Sequence, residues 1–171
     1  MENVKGNITK ICSFYVSEWH LTTMLLPYIN EEIEKENNVS TILERNLEDK
    51  IKILIERTGI KNKNKVLNIN WDSSYIVNID KIIADLFKNK DNKTIIVNGN
   101  VKYINEVNKK ISNYVEKNNI CQNIKIINCY EVTNFENNFD EILNLHNKVL
   151  NTTGERKIED VFNGYKNMKI I

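Results

Sequence analysis

"TIIVNGNVKYINEVNKKISNYVEKNNICQNIKIINCY", residues 94–130, decides the fold class. Its first apolar run is too short for a helix and ends in Asn98-Gly99-Asn100, residue types that close a strand. Val101, Ile104, Val107, Ile111 and Val115 then recur every three or four residues, which places them on one face of an amphipathic helix. A second short apolar run, "IKIINCY" (124–130), follows. Strand, helix and strand read as one parallel unit with a crossover helix.

The same alternation extends outward in both directions. "ICSFYV" (11–16) reads as the first strand, followed by a helix from Glu18 to about Lys35 carrying Leu21, Met24, Leu25, Tyr28 and Ile29. Pro27 lies inside that helix and predicts a kink or break. "VSTIL" (39–43) is a second strand, and Asn46 then caps a helix with Leu47, Ile51, Leu54 and Ile55 on one face. "KVLNIN" (65–70) reads as a third strand. The helix after it has the cleanest period of the chain, on Ile79, Ile82, Ile83, Leu86 and Phe87. Downstream of Tyr130, Phe139, Ile142, Leu143, His146, Val149 and Leu150 fall on one helical stripe, which turns His146 toward the core or a cleft.

The expected architecture is therefore α/β: a single three-layer domain with a mostly parallel five-stranded sheet flanked by helices, RecA/Rossmann-like in layout. Residues 8–151 form this domain, and residues 152–171 form a C-terminal amphipathic helical tail. In that tail Ile158, Val161, Phe162, Tyr165 and Met168 keep a helical stripe, interrupted only by Gly164. The stripe either packs on the chain's own core or, through Ile158, Val161, Phe162 and Tyr165, docks a partner protein.

Composition narrows the function classes. A chain of 171 residues can bury a sizeable core without staples. It carries 24 basic and 23 acidic side chains, a net charge of +1, so no overall field recruits nucleic acid or anionic lipid. No apolar run approaches the roughly 18 residues that cross a bilayer, and "MENVKGNITK" lacks the apolar centre of a signal peptide. The three cysteines, Cys12, Cys121 and Cys129, are odd in number and far apart, which suits a reducing, cytoplasmic location. The 30 asparagines are spread evenly, as an AT-rich coding sequence would spread them, so each alone carries little functional weight.

Ligands of open parallel sheets bind beyond the carboxyl ends of the strands. Those ends are Tyr15-Val16-Ser17-Glu18, Asn70-Trp71-Asp72, Asn98-Gly99-Asn100 and Cys129-Tyr130-Glu131. A phosphate-binding loop needs G-x-x-x-x-G-K-[ST] after a strand, whereas the first strand here runs into "SEWHLTTM" (17–24), with neither glycine nor lysine. G-x-G-x-x-G is absent as well, which disfavours ATP hydrolysis and dinucleotide binding. No C-x-x-C or H-x-x-x-H spacing pre-forms a metal site, so no metal or cofactor is expected. Ser17 reads as a helix N-cap with His20 three residues on, and Trp19 and Trp71 either hold a planar ligand or cap the core.

With these residues assembled, the chain resembles the MEDS family, the sensory domain named after methanogens, methylotrophs and the dichloromethane regulator. The resemblance rests on "KICSFYVSEWHLTTMLLPYINEEIEKENNVSTIL" (10–43), "YIVNIDKIIADLF" (75–87), "IIVNGNVKYI" (95–104) and "INCYEVTNFENNFDEILNLHNKVL" (127–150), in the family's order and spacing. The chain departs from the family pattern at Lys10, where a histidine is common, at Gly99-Asn100 in place of Gly-Glu, and at Tyr130-Glu131 in place of Tyr-Asp. The resemblance implies a RecA-like fold without a working phosphate loop and a sensory role without catalysis. It also implies a small-molecule ligand or a regulatory protein of the kinase, anti-sigma or transcription-factor type as partner, with no nucleic acid or membrane. The ligand-facing candidates are Tyr15, Trp19, His20, Trp71, Asn98, Gly99, Cys129, Tyr130 and His146. The alternative is a small enzyme using Cys129 as nucleophile and His146 as base.

Overall fold

In the computed structural model, which describes residues 8–72, 78–134 and 138–162, six strands form one sheet in the order β2-β3-β4-β1-β5-β6. These are β1 (Ile8–Tyr15), β2 (Asn38–Leu43), β3 (Lys93–Asn98), β4 (Ile124–Glu131), β5 (Lys148–Asn151) and β6 (Gly154–Lys157). The first five run parallel; β6 turns back antiparallel on β5. Strands buried on both faces explain the near-continuous apolar runs of β3 and β4. The fold is thus three-layer α/β, with helices on both faces of a mostly parallel sheet.

Alternation along each strand sorts the core into two halves. Ile11, Tyr15, Ile96, Ile127 and Cys129 point toward one face, under α1 (Glu18–Glu34), α2 (Glu48–Arg57) and α3 (Lys63–Leu67). Cys12, Ile95, Val97, Ile126 and Tyr130 point to the other, under α4 (Ile79–Leu86), α5 (Val101–Lys117), α6 (Phe139–Asn144) and α7 (Ile158–Val161). Helix α1 begins at Ser17, whose Oγ accepts from the His20 N–H at 3.1 Å, and it runs on through Pro27 without a break. The connection after β1 therefore goes to the first face and the one after β4 to the second. Neighbouring strands whose connections leave to opposite faces mark the switch point of the sheet, and the crevice that such sheets use for ligands is expected there, at the carboxyl ends of β1 and β4.

Three expectations are corrected. Residues 65–70 form no strand: Lys63–Leu67 is helix α3, whose Val66 carbonyl accepts from the Trp71 indole N–H at 2.9 Å. The His146 stripe is not one helix either. Helix α6 stops at Asn144, and Val149 and Leu150 lie in β5, because Asn147 ties the chain to β1. Its backbone N–H donates to the Lys10 carbonyl at 2.7 Å, and its Oδ1 accepts from the Lys10 N–H at 2.9 Å. The tail begins as strand β6, the sixth of the sheet, and among its described residues only Ile158–Val161 is helical. An Asn151 side chain accepting from the Thr153 N–H at 2.9 Å, with Gly154 at φ 105°, makes the turn that a helix would not have needed.

At the amino-terminal end of the sheet a buried carboxylate is fully partnered. Glu32 of α1 accepts from Thr94 at 2.9 Å, from Asn37 at 2.6 Å and from Lys125 Nζ at 3.1 Å. Lys125 also donates to Glu155 of β6 at 3.0 Å, and the Tyr28 hydroxyl donates to the same carboxylate at 2.9 Å. Burial opposes the charge on Glu155, but the hydrogen bonds from Lys125 and Tyr28 and the positive charges of Lys125 and Lys148 overcome it, so its pKa falls below the usual value. The network locks the edge hairpin onto α1.

Candidate functional site

At the carboxyl ends, three of the expected residues meet on the first face. Asn98 Nδ2 donates to the Tyr15 hydroxyl oxygen at 2.7 Å and to the Cys129 carbonyl at 3.2 Å. The Cys129 bond fixes which end of the amide is nitrogen, because a carbonyl only accepts. Both hydrogens of Asn98 are then committed, and its Oδ1 is buried with no donor among the described residues. A second orphan is the Tyr103 hydroxyl, whose pKa rises to about 12 through burial and the nearby Glu44 and Glu106 charges. Tyr103 lies against Gly99, where a Cβ would meet its ring carbon at 2.5 Å and the Glu44 Cβ at 3.0 Å. Gly99 is there because the ring needs its space. Tyr15 is itself held neutral, its pKa raised to about 12 mainly by burial.

The residues that follow the two strand ends mix exposed apolar side chains with ion pairs. Tyr15 pairs in register with Glu131, and the residues that follow each of them, Val16 and Val132, are exposed, as is Trp19 at 44%. Lys50 sits 5.7 Å over the Trp19 ring and bonds Glu18 at 2.7 Å, while Arg45 bonds Glu131 at 2.7 Å. His20 belongs to the start of α1: its Nδ1 accepts from the Val16 N–H at 3.1 Å, which puts its ring proton on Nε2. Trp71, read either as holding a planar ligand or as capping the core, is 3% exposed in the core of the first face.

His146 and Cys129 are not brought together. Cys129 Sγ faces α1–α3, makes only a long contact to the Ile127 carbonyl at 3.8 Å, and has its pKa raised by burial. His146 lies on the opposite face. Its Nδ1 donates to the Ile142 carbonyl at 2.5 Å, so its Nε2 is the acceptor for Asn128 Nδ2 at 2.9 Å. Asn128 and Asn108 exchange amide bonds of 2.8 and 3.0 Å, and Asn108 also donates to the Ile104 carbonyl at 2.8 Å. Burial lowers the His146 pKa to about 4, so the ring is neutral in this network. Tyr130 meets it edge-on at 5.9 Å and stacks on Phe14 at 5.9 Å.

The tail candidates pack inward. Ile158 is buried in the second-face core, with Val161 and Phe162 against it, and Phe162 sits edge-on to Phe14 at 5.9 Å and to Phe139 at 5.1 Å. Tyr165 lies outside the described residues. Among the described residues no three His, Cys, Asp or Glu side chains gather around a possible metal position, and no helix is long and apolar enough to cross a membrane. Comparison of the chain with family models, with curated proteins and with solved structures finds no match. The MEDS resemblance stands on the residues quoted above.

Sequence reasoning missed Glu32, Asn108 and Asn128. A signal for two of them was present. Glu32 falls three and four residues after Ile29 and Tyr28, and Asn108 four after Ile104 and three before Ile111, so both sit on apolar stripes. A polar residue inside such a stripe has to find a buried partner.

Proposed function

We propose that this protein is a non-catalytic sensory or signalling module of the MEDS type, acting in the cytoplasm by binding a small ligand or a regulatory protein in the β1–β4 crevice. One observation carries the reading: a buried acceptor, Asn98 Oδ1, has no donor among the described residues, at the end of the sheet where Val16, Trp19 and Val132 are exposed. Native interiors seldom leave such an oxygen unpaired, and a bound molecule with an O–H or N–H supplies the missing donor. The enzyme alternative loses support from the same geometry. A nucleophile and its base need hydrogen-bond contact, whereas Cys129 and His146 lie on opposite faces of the sheet and His146 has both nitrogens engaged.

Thermal-shift screening of a metabolite library, followed by mass analysis of each hit, tests this reading. A ligand at about 100 times its dissociation constant adds about 2.7 kcal/mol. The expected result is a hit recovered chemically unchanged, with its shift lost in Asn98→Ala. A hit converted to product, or a screen in which every hit is indifferent to Asn98→Ala, contradicts the proposal. Thiol labelling supplies a second check. Exposed Cys121 should react quickly while Cys12 and Cys129, both buried with raised pKa values, react slowly; fast labelling of Cys129 would favour the enzyme.

A further inference from the structure

On the second face, a cleft of ≈ 220 Å³ opens between α5 and the turn at Leu145-His146, above β1 and β4. Its floor is the Asn108–Asn128–His146 network, whose amide and ring N–H groups are all spent inside the protein. Its walls are different. Asn105, Lys109 and Ser112 stand on α5 at i, i+4 and i+7, a single helix face, and Lys10 rises from β1 opposite them. The ammonium groups of Lys10 and Lys109, the Ser112 hydroxyl and the Asn105 amide make no side-chain hydrogen bond or ion pair with any described residue. Among the described lining residues two are cationic and none is acidic.

This is a donor-rich wall over a donor-poor floor. Lys10 is half-buried, and burial lowers its pKa with no carboxylate nearby to raise it again, so its ammonium lacks a counter-charge. Four donor groups suit a group with several anionic oxygens better than a carboxylate with two. Leu145 and Tyr130 offer apolar contact for a short carbon body, and the cleft is smaller than the pockets that hold drug-sized ligands.

We propose that this cleft binds a small phosphorylated metabolite, its phosphate held between Lys10 and Lys109 with Ser112 and Asn105 completing the contacts. The site is independent of the β1–β4 crevice, since it lies on the other face of the sheet and shares no residue with the Asn98 layer.

Calorimetry with glycerol 3-phosphate, with succinate and glycerol as comparators at matched ionic strength, tests the assignment. Glycerol 3-phosphate should bind, and Lys10→Gln and Lys109→Gln should each weaken it by at least about tenfold, the loss of one charge-assisted hydrogen bond. Lys102→Gln, on an exposed part of α5, should leave it unchanged, and Asn98→Ala should as well. Both cleft variants replace side chains at the protein surface, and an unchanged melting temperature without ligand verifies that they fold. Absence of binding at about 10 mM, weaker than the millimolar range that even a few contacts give, would overturn the proposal. So would binding indifferent to the two lysines, or succinate binding as tightly as the phosphate.

Discussion

The two ends of the sheet solve the problem of buried polarity differently. At the amino-terminal end Glu32 is a fully buried carboxylate, yet Thr94, Asn37 and Lys125 surround it, and Lys125 passes the pairing on to Glu155 and Tyr28. At the carboxyl end a neutral amide, Asn98, holds Tyr15 and the Cys129 carbonyl but leaves its own oxygen without a donor, and Tyr103 nearby keeps an unpaired hydroxyl. The costlier group is the one the fold has satisfied. The difference separates an end whose buried charge is fully partnered from one where two buried polar atoms lack a partner among the described residues.

Breaking the completed end should have the largest effect. Lys125→Met keeps the stem near Tyr28 but removes the ammonium, leaving the Glu32 carboxylate buried with Asn37, Thr94 and a distant Lys35 at 3.9 Å. Removing one partner of a buried pair typically costs about 3–5 kcal/mol, to be read from urea unfolding. A loss of only a few tenths would mean that the amino-end network is ornamental, and the contrast with the carboxyl end would collapse.

The next effect is a pH dependence that belongs to His146 and not to the amino end. The folded pKa of about 4 lies below the ordinary 6.5, so the unfolded chain binds the proton more readily. The stability this contributes is present above the unfolded pKa and is lost as pH falls from about 6.5 to about 4, by about 3 kcal/mol in all. The lowered pKa of Glu155 acts in the same direction, but below the ordinary carboxylate range, and the raised pKa of Lys125 matters only at alkaline pH. Unfolding curves across that window should therefore slope in the wild type and flatten in His146→Gln. A flat wild-type profile would show that the ring is not held neutral.

Gly99→Ala probes the open end. The added methyl must displace the Tyr103 ring, and overpacking of this kind costs about 1–3 kcal/mol. Because the hydroxyl moved with the ring is already unpaired, no hydrogen bond should be lost with it. A cost well above that range would mean that Tyr103 is anchored more firmly than its orphan hydroxyl indicates.

The layers of the fold were legible because they rest on long, strongly periodic elements. α1 and α5 each run 17 residues, and β1, β3 and β4 end at or within a residue of the positions their apolar runs implied. What misled was shorter. In "KVLNIN" three apolar residues fit a strand as well as a helical turn, and the helical outcome goes with the local bond from the Trp71 indole to the Val66 carbonyl. The stripe through His146 fitted period 3.6 across a helix, a turn and a strand, and Asn147 pairing with Lys10 decided where the helix stopped. Among the candidate residues, Tyr15, Asn98 and Cys129 were legible as strand ends. That Cys129 and His146 face apart follows from strand parity, which puts residues 128 and 129 on opposite sides. Trp71 at the rim depended on the strand that proved to be α3.

The most direct test of the account sets Asn98 against Asn128, two buried asparagines of the same sheet. Both are changed to alanine, so the lost volume is the same, and the unfolding free energies of the ligand-free proteins are compared. Asn128→Ala orphans His146 Nε2 and half of the Asn108 amide, a loss of about 1–3 kcal/mol beyond the cavity term, whereas Asn98→Ala also removes an oxygen that was already unpaired. The account predicts that Asn128→Ala is the more damaging by about 1 kcal/mol or more. Equal costs, or a greater cost at Asn98, would mean that the carboxyl-end layer is as complete as the rest of the interior and is not held open for a ligand.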